Sequence, residues 1–135
     1  MERFTIEVLF QPASGGPEEQ RFLHVEEATT GNRALLETRM LPGDAWCLDT
    51  FLRYGDASLP LIDRGAAHST GRWHVVALTF DGKTMAHYVD GAREAAGEIA
   101  FRPLGPGRTS IGVRLNRVSW FKGRIRQVRF TPRAR

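Results

Sequence analysis

The chain has 135 residues, of which 41% are hydrophobic and 25% charged, and its formal net charge is +4. This length suits one domain with a substantial core, and the composition excludes an intrinsically disordered chain. No apolar run approaches the roughly 20 residues that a membrane-spanning helix needs, so no membrane partner is expected.

The first half of the chain predicts short strands separated by turns. In FTIEVLF, alternation places Phe4, Ile6, Val8 and Phe10 on one face, which is the pattern of a half-buried strand. A Gly/Pro-rich loop, QPASGGPEEQ, is followed by predicted strands in RFLHVEE and RALLETRM, the second of which is ambiguous with a helix. A long strand, AWCLDTFLRYG, precedes a weaker one, SLPLIDRG, in which Pro60 indicates an edge or a bulge.

The second half of the chain predicts an antiparallel meander. The segment RWHVVALTF is rich in β-branched and aromatic residues, and Asp-Gly pairs follow at 81–82 and 90–91. Asp-Gly favours tight hairpin turns because Gly adopts positive φ without steric cost. We therefore predict strands over 73–80, 84–89 and 92–99, followed by strands in TSIGVRL and GRIRQVRF. Many short strands without a convincing helix predict an all-β sandwich or barrel.

Charge and cysteine content narrow the possible partners. Residues 102–135 hold ten Lys/Arg and no acid, whereas residues 1–101 hold nine Lys/Arg against fifteen Asp/Glu. This asymmetry indicates an anionic partner, although basic C-terminal strands lying beside acidic N-terminal ones would account for it equally well. The single cysteine, Cys47, allows no internal disulfide, and its apolar neighbours predict a buried side chain.

Two segments resemble the laminin G-like branch of the concanavalin A-like jelly rolls. They are GRWHVVALTFDGKTMAHYVDG and WFKGRIRQVRFTPRAR, in which Trp-His-Val, Asp-Gly, Tyr-Val-Asp-Gly and Phe-Lys-Gly follow one another as is common in that family. The resemblance implies a two-sheet antiparallel jelly-roll sandwich, formed by a single domain over residues 1–135. It also implies that Trp73, Ala77, Tyr88 and Val89 are core or packing positions.

The start of the chain departs from the family pattern. Family domains usually begin with a strand before the segment that FTIEVLFQP resembles, but only three residues precede Phe4 here. Because an open sheet edge invites pairing, we expect contact with another copy or with a parent protein at such an edge. Some relatives bind calcium, but this chain shows no cluster of acids, so we expect no cofactor and interpret Asp81 and Asp90 as turn residues.

No catalytic signature is present. Laminarinase-like relatives cleave glucans with a Glu-x-Asp-x-x-Glu strand, whose alternation places the acids on one face, and this chain has no such run. It also lacks the Gln-x-His strand of alginate lyase jelly rolls, and GPGRTS lacks the first Gly and the Lys of a phosphate loop. Glycan cleavage would therefore need acids that meet only in three dimensions.

The best candidate for a binding site is the segment GVRLNRVSWFKGRIRQVR. Tryptophan offers a flat apolar face to a sugar ring, and Arg and Asn supply directed hydrogen bonds to hydroxyl and carboxylate groups. The predicted ligand-binding residues are Arg114, Asn116, Arg117 and Trp120, with Arg53 and Tyr54 as further candidates from the long strand. The alternative is that Trp120 and Phe121 belong to the core and that the arginines form a solvated face.

Three functions follow from these patterns. The first is a non-catalytic, lectin-like module that binds carbohydrate, with acidic glycans as the preferred class. The second is a protein-interaction or assembly domain of a larger protein, and the third is a glycan-cleaving jelly-roll enzyme. Nucleic acid ranks below glycan because no nucleic-acid-binding fold signature is present. The N-terminus lacks a signal peptide, so we expect a cytoplasmic location for a native chain and an extracellular one for an excised domain.

Overall fold

The computed structural model describes residues 3–113 and 119–134, and within them the chain forms eleven β-strands and no α-helix. The strands are β1 (Phe4–Pro12), β2 (Glu19–Glu27), β3 (Arg33–Leu41), β4 (Ala45–Tyr54), β5 (Ala57–Ile62), β6 (His68–Ser69), β7 (His74–Phe80), β8 (Thr84–Val89), β9 (Ala92–Glu98), β10 (Gly107–Ile111) and β11 (Gly123–Thr131). No helix of the described ranges has the length and apolar character needed to cross a membrane.

The strands form two antiparallel sheets that pack face to face. The five-stranded sheet has the order β11-β1-β7-β8-β9, and the six-stranded sheet has the order β10-β2-β3-β4-β5, with β6 paired to β4. β5 contacts β9, so the sheets meet at that side of the sandwich. The other side is bounded by β10 and β11. The predicted all-β, two-sheet sandwich is therefore confirmed.

The core lies between the sheets and is rich in aromatic rings. Phe10 is fully buried, and its ring centroid lies 4.6 Å from that of Phe22, 5.2 Å from that of Trp46 and 5.7 Å from that of Phe121. Each large apolar side chain buried in this way stabilises the fold by about 1.5–3 kcal/mol. Cys47 is also buried, as predicted, and burial raises the pKa of its thiol.

Both Asp-Gly pairs lie at turns of the predicted meander. Asp90 and Gly91 have φ values of 50° and 85° between β8 and β9, which the primed hairpin turns require. In the other turn, Asp81 Oδ1 accepts hydrogen bonds from the backbone N–H groups of Lys83 and Thr84 at 2.9 and 2.7 Å. Asp81 thus supports its turn with its side chain, whereas Asp90 and Gly91 support theirs with their backbone conformation.

Two residues that were expected at core or packing positions, Trp73 and Tyr88, are not in the core, and alternation along the strands explains why. Trp73 is 43% exposed because the next residue, His74, pairs with the core residue Phe10, and neighbouring side chains point to opposite sides. Tyr88 is half-buried on the outer face of its sheet, since it lies between His87 and Val89, which face the core. The expectation of core packing is therefore wrong for Trp73.

Candidate functional site

The outer face of the six-stranded sheet carries a compact array of charged side chains. Glu19 and Arg21 lie on β2, Glu37 and Arg39 on β3, and Asp49 on β4. In the register, Glu19 pairs with Arg39, Arg21 with Glu37, and Glu37 with Asp49. Directly paired residues place their side chains within reach of one another. We call these five residues the charged ladder.

A β-bulge places Arg21 in the ladder. The register of β2 against β3 shifts between Arg21 and Leu23, so that Phe22 is the extra residue. Without the bulge, strict alternation would place Arg21 on the same face as the core residue Leu23. The bulge instead buries both Phe22 and Leu23 and turns the guanidinium group towards Glu37 on the outer face.

Ion pairs link the whole ladder. Arg21 Nη2 donates to Glu37 Oε1 at 2.5 Å, and Arg39 Nη2 donates to Asp49 Oδ2 at 2.6 Å. The Glu19 carboxylate lies 3.5 Å from both guanidinium groups and so joins the two pairs. Such charge-assisted hydrogen bonds hold the planar groups in fixed orientations.

The centre of the ladder is buried although it lies on an outer face. The side chains of Arg21 and Glu37 are only 4% and 5% exposed, whereas those of Arg39 and Glu19 are 22% and 37% exposed. Burial and a hydrogen bond with Glu19 raise the pKa of Glu37 to about 7, against the opposing effect of Arg21. Burial likewise raises the pKa of Asp49. The exposed members can contact a ligand, and the buried members orient them.

Several polar atoms of the ladder are buried without a hydrogen-bond partner in the described part of the chain. They are Arg21 Nε, Arg21 Nη1, Glu37 Oε2 and Arg39 Nε. Buried polar groups in proteins are nearly always satisfied by protein, water or ligand. The interior of the ladder therefore holds more donors and acceptors than the described residues satisfy.

Trp120 lies beside the ladder and is open to solvent. It forms a parallel backbone bridge with Arg21, the Arg21 N–H donates to Ser119 O at 2.8 Å, and 59% of Trp120 is exposed. The next residue, Phe121, packs against the rings of Phe10 and Phe22. The core thus anchors this segment through Phe121 while the Trp120 indole remains accessible.

The other predicted site residues lie in different places. Arg114, Asn116 and Arg117 lie outside the described residues. Arg53 is on the same outer face as the ladder, opposite Arg33 in the register. Tyr54 points the other way and packs its ring edge against Phe101 at a centroid distance of 5.9 Å, so Arg53 and Tyr54 do not share one surface.

The sequence interpretation missed the charged ladder. It started the second strand at Arg21, whereas β2 begins at Glu19. The available signal was the repeated spacing of Glu19 and Arg21 in one strand and of Glu37 and Arg39 in the next, which an antiparallel register brings into opposite-charge pairs. That signal depends on register and on the bulge, which composition and alternation do not reveal.

A second polar cluster lies near the loops at the start of β7. His68 Nε2 lies 2.8 Å from Glu94 Oε2, and His74 Nδ1 lies 2.7 Å from Asp90 Oδ2. Trp46 packs against both imidazole rings, so each histidine is held by a carboxylate and an aromatic ring. Within residues 3–113 and 119–134, no three His, Cys, Asp or Glu side chains are grouped to hold a metal ion.

The chain was compared with known families and structures. A family model described as the concanavalin A-like lectin/glucanases superfamily matches residues 2–135. Domains LG4-5 of the mouse laminin alpha1 chain superpose with a TM-score of 0.74 at 14% identity, over 98% of this chain and 36% of that one. A comparison with curated protein sequences gives no significant match.

Two further solved structures share the fold. A candidate carbohydrate-binding protein from Bacteroides ovatus has a TM-score of 0.71 at 21% identity, over 99% of this chain and 38% of that one. The enzymatically active domain of bacteriophage CBA120 tailspike protein 2 has a TM-score of 0.65 at 14% identity, over 99% of this chain and 22% of that one. The chain therefore spans well under half the length of these structures, and the likeness shows the fold alone.

Proposed function

The chain belongs to the concanavalin A-like lectin/glucanases superfamily, and from that premise we propose that it is a non-catalytic carbohydrate-binding module. The observation that carries the proposal is the accessible Trp120 indole, 59% exposed and joined through its backbone to Arg21 of the charged ladder. The candidate carbohydrate-binding protein from Bacteroides ovatus, which has the same fold, supports this choice of ligand class.

The arrangement suits a sugar ring on chemical grounds. The indole face of Trp120 offers flat apolar area, and its segment is fixed by the packing of Phe121 in the core. In the ladder that a backbone bridge joins to Trp120, the partly exposed Arg39 and Glu19 side chains present donors and acceptors to hydroxyl groups. The buried Arg21–Glu37 pair holds these groups in place, so little side-chain freedom is lost on binding.

We further propose that acidic glycans are the preferred ligands. Their carboxylate or sulfate groups would contact arginines outside the charged ladder, because the ladder holds three carboxyl groups and only two guanidinium groups. Arg53 and Arg33 lie opposite one another on the same outer face, and Arg33 also lies over the Phe51 ring at 5.3 Å from its centroid. Arginine is suited to bidentate contacts with such anions.

Glycan cleavage is the less favoured function for this site. Paired catalytic acids must lie close together, and Glu37 and Asp49 meet this requirement because they are cross-strand partners. However, both are less than a tenth exposed, and each carboxyl is paired with a guanidinium group. This arrangement favours a supporting role in binding over direct contact with a glycosidic bond.

The test is glycan-array screening followed by affinity measurement on Trp120→Ala. We expect this variant to lose affinity by about tenfold or more, and its free energy of unfolding to change by about 0.5 kcal/mol or less because the side chain is exposed. The matched control is Trp73→Ala, since Trp73 is 43% exposed but lies just before β7, in the other sheet. Equal affinity losses in both variants, or none in either, would contradict the site.

A salt titration tests the acidic preference separately. Arg53→Ala should lower the affinity for an acidic glycan and reduce its dependence on salt, because fewer exposed charges are then screened. Affinity for a neutral glycan should change little. If the two glycans respond alike to the substitution, Arg53 does not select for charge.

A further inference from the structure

In the part of the chain that the structure describes, one side of the sandwich is bounded by two edge strands. Among the described residues, β11 pairs only with β1 and β10 only with β2, so each strand leaves one row of backbone N–H and C=O groups without a strand partner. Between the sheets on this side lies an apolar cavity of about 210 Å³, whose lining includes Phe4, Ile6, Val25, Phe101 and Phe130. Phe130 of β11 thus forms part of the cavity wall.

Apolar side chains at core-facing positions of both edge strands reach solvent. Phe130 pairs with Ile6 and Ile111 pairs with Leu23, and both of these partners are buried core residues. Nevertheless, Phe130 is 45% exposed and Ile111 is 55% exposed. Exposed apolar surface that continues a core indicates a surface that gains stability when it is covered.

The charge of β11 indicates what would cover it. The strand contains Arg124, Arg126 and Arg129 and no acidic residue. Arg129 lies 3.9 Å from Glu7, whereas Arg124 and Arg126 form no ion pair with any described residue. A strand added at this edge would be favoured by acidic side chains that face these guanidinium groups.

We propose that this side of the sandwich binds an extended peptide segment in which apolar residues alternate with acidic ones. The segment adds to the five-stranded sheet as a neighbour of β11, through main-chain hydrogen bonds. Its apolar side chains enter the cavity beside Phe130, and its acidic side chains lie near Arg124 and Arg126. This site is separate from the carbohydrate site proposed above, which is on the outer face of the six-stranded sheet.

A synthetic nonapeptide of alternating valine and glutamate, matched to the nine residues of β11, tests the proposal. We expect saturable binding, and we expect slower hydrogen exchange at those β11 amides that point away from β1. The amides of β9, the edge strand at the other end of this sheet, should not change. The control peptide carries N-methyl groups at its three central residues, which removes hydrogen-bond donors without changing charge, and it should not bind.

Charge reversal tests the choice of occupant. Arg124→Glu combined with Arg126→Glu should weaken binding of the glutamate peptide by about tenfold or more, and should strengthen binding of a valine–lysine peptide of equal length. Arg93→Glu on β9 is the matched control, because Arg93 is an exposed arginine on an edge strand, and it should have no effect on either peptide.

Three results would overturn the proposal. The first is unchanged exchange at β11 in saturating peptide. The second is equal affinity of the wild-type protein for the glutamate and lysine peptides. The third is protection of β11 amides without peptide that increases with protein concentration and accompanies dimer formation in sedimentation, because the occupant would then be a second copy of the chain.

Discussion

His87 is a titratable side chain placed in the core between the two sheets. It is fully buried, and its Nδ1 is 2.8 Å from Thr50 Oγ1 on the facing sheet. Burial lowers the pKa of His87 from 6.5 to about 4. At His87, the folded state therefore binds a proton more weakly than the unfolded state does. The contribution of the neutral, buried side chain to the free energy of unfolding is complete above pH 6.5 and is lost as the pH falls towards 4.

Replacing His87 by glutamine should remove this pH dependence. Between pH 7.5 and pH 4, wild type should lose about 3 kcal/mol more of its free energy of unfolding than His87→Gln does. Urea denaturation at the two pH values measures the difference. Equal losses in the two proteins would mean that His87 is not buried as a neutral side chain.

The contribution of Glu37 to stability depends on pH in the opposite direction. Its pKa is raised from 4.5 to about 7, so the unfolded state loses the proton first as the pH rises. The stability contribution of the protonated carboxyl is complete below pH 4.5 and is lost by about pH 7. Glu37→Gln should gain about 3 kcal/mol relative to wild type between pH 4.5 and pH 8. Glu98→Gln, at a side chain that is 67% exposed, is the control for replacing a surface carboxylate by an amide.

The two Asp-Gly turns of the meander, at Asp81 and Asp90, differ in whether the aspartate side chain contacts a neighbouring strand. Among the described residues, Asp81 accepts its side-chain hydrogen bonds from Lys83 and Thr84 of its own turn. Asp90 instead accepts from the N–H of Val75 at 2.9 Å, and its other oxygen faces His74 Nδ1 at 2.7 Å. The carboxylate of Asp90 therefore connects the β8–β9 hairpin to the first residues of β7.

Substitution at the two corners should have unequal effects on stability. We expect Asp90→Ala to lower the free energy of unfolding by about 2 kcal/mol, because two partners in another strand are lost, and Asp81→Ala to lower it by less. Chemical denaturation of the two variants measures both values. Similar losses at the two positions would show that Asp90 stabilises only its local turn.

The same elements show what could be predicted from the sequence. The meander was predictable because alternation and Asp-Gly turns are local signals, and β7, β8 and β9 lie within one or two residues of the predicted ranges. The charged ladder was not predictable, because it requires the register of three strands and the bulge at Phe22. Trp120 was predicted as a site residue, but its exposure depends on Phe121 taking the core position beside it.

For the whole molecule, His87 and Glu37 contribute opposite pH dependences to the free energy of unfolding. Between pH 4.5 and 6.5, one contribution rises while the other falls by about the same amount, since the two pKa changes are about equal and opposite. The contributions of these two residues should cancel over this range. The double variant should therefore follow the wild-type curve, while the two single variants deviate in opposite directions, as thermal or urea denaturation at several pH values would show.

The pairing of β1 with β11 has a consequence for how the chain folds during synthesis. Thr5 pairs with Thr131, and the register continues to Pro12 and Gly123, so β1 leaves the ribosome long before its partner strand β11 has been synthesised. Closing so long a loop is slow because its entropy must be lost before the contacts form. Until then, one backbone edge of β1 remains unpaired next to its apolar face. A nascent chain in that state is open to misassociation and would benefit from a chaperone that covers β1.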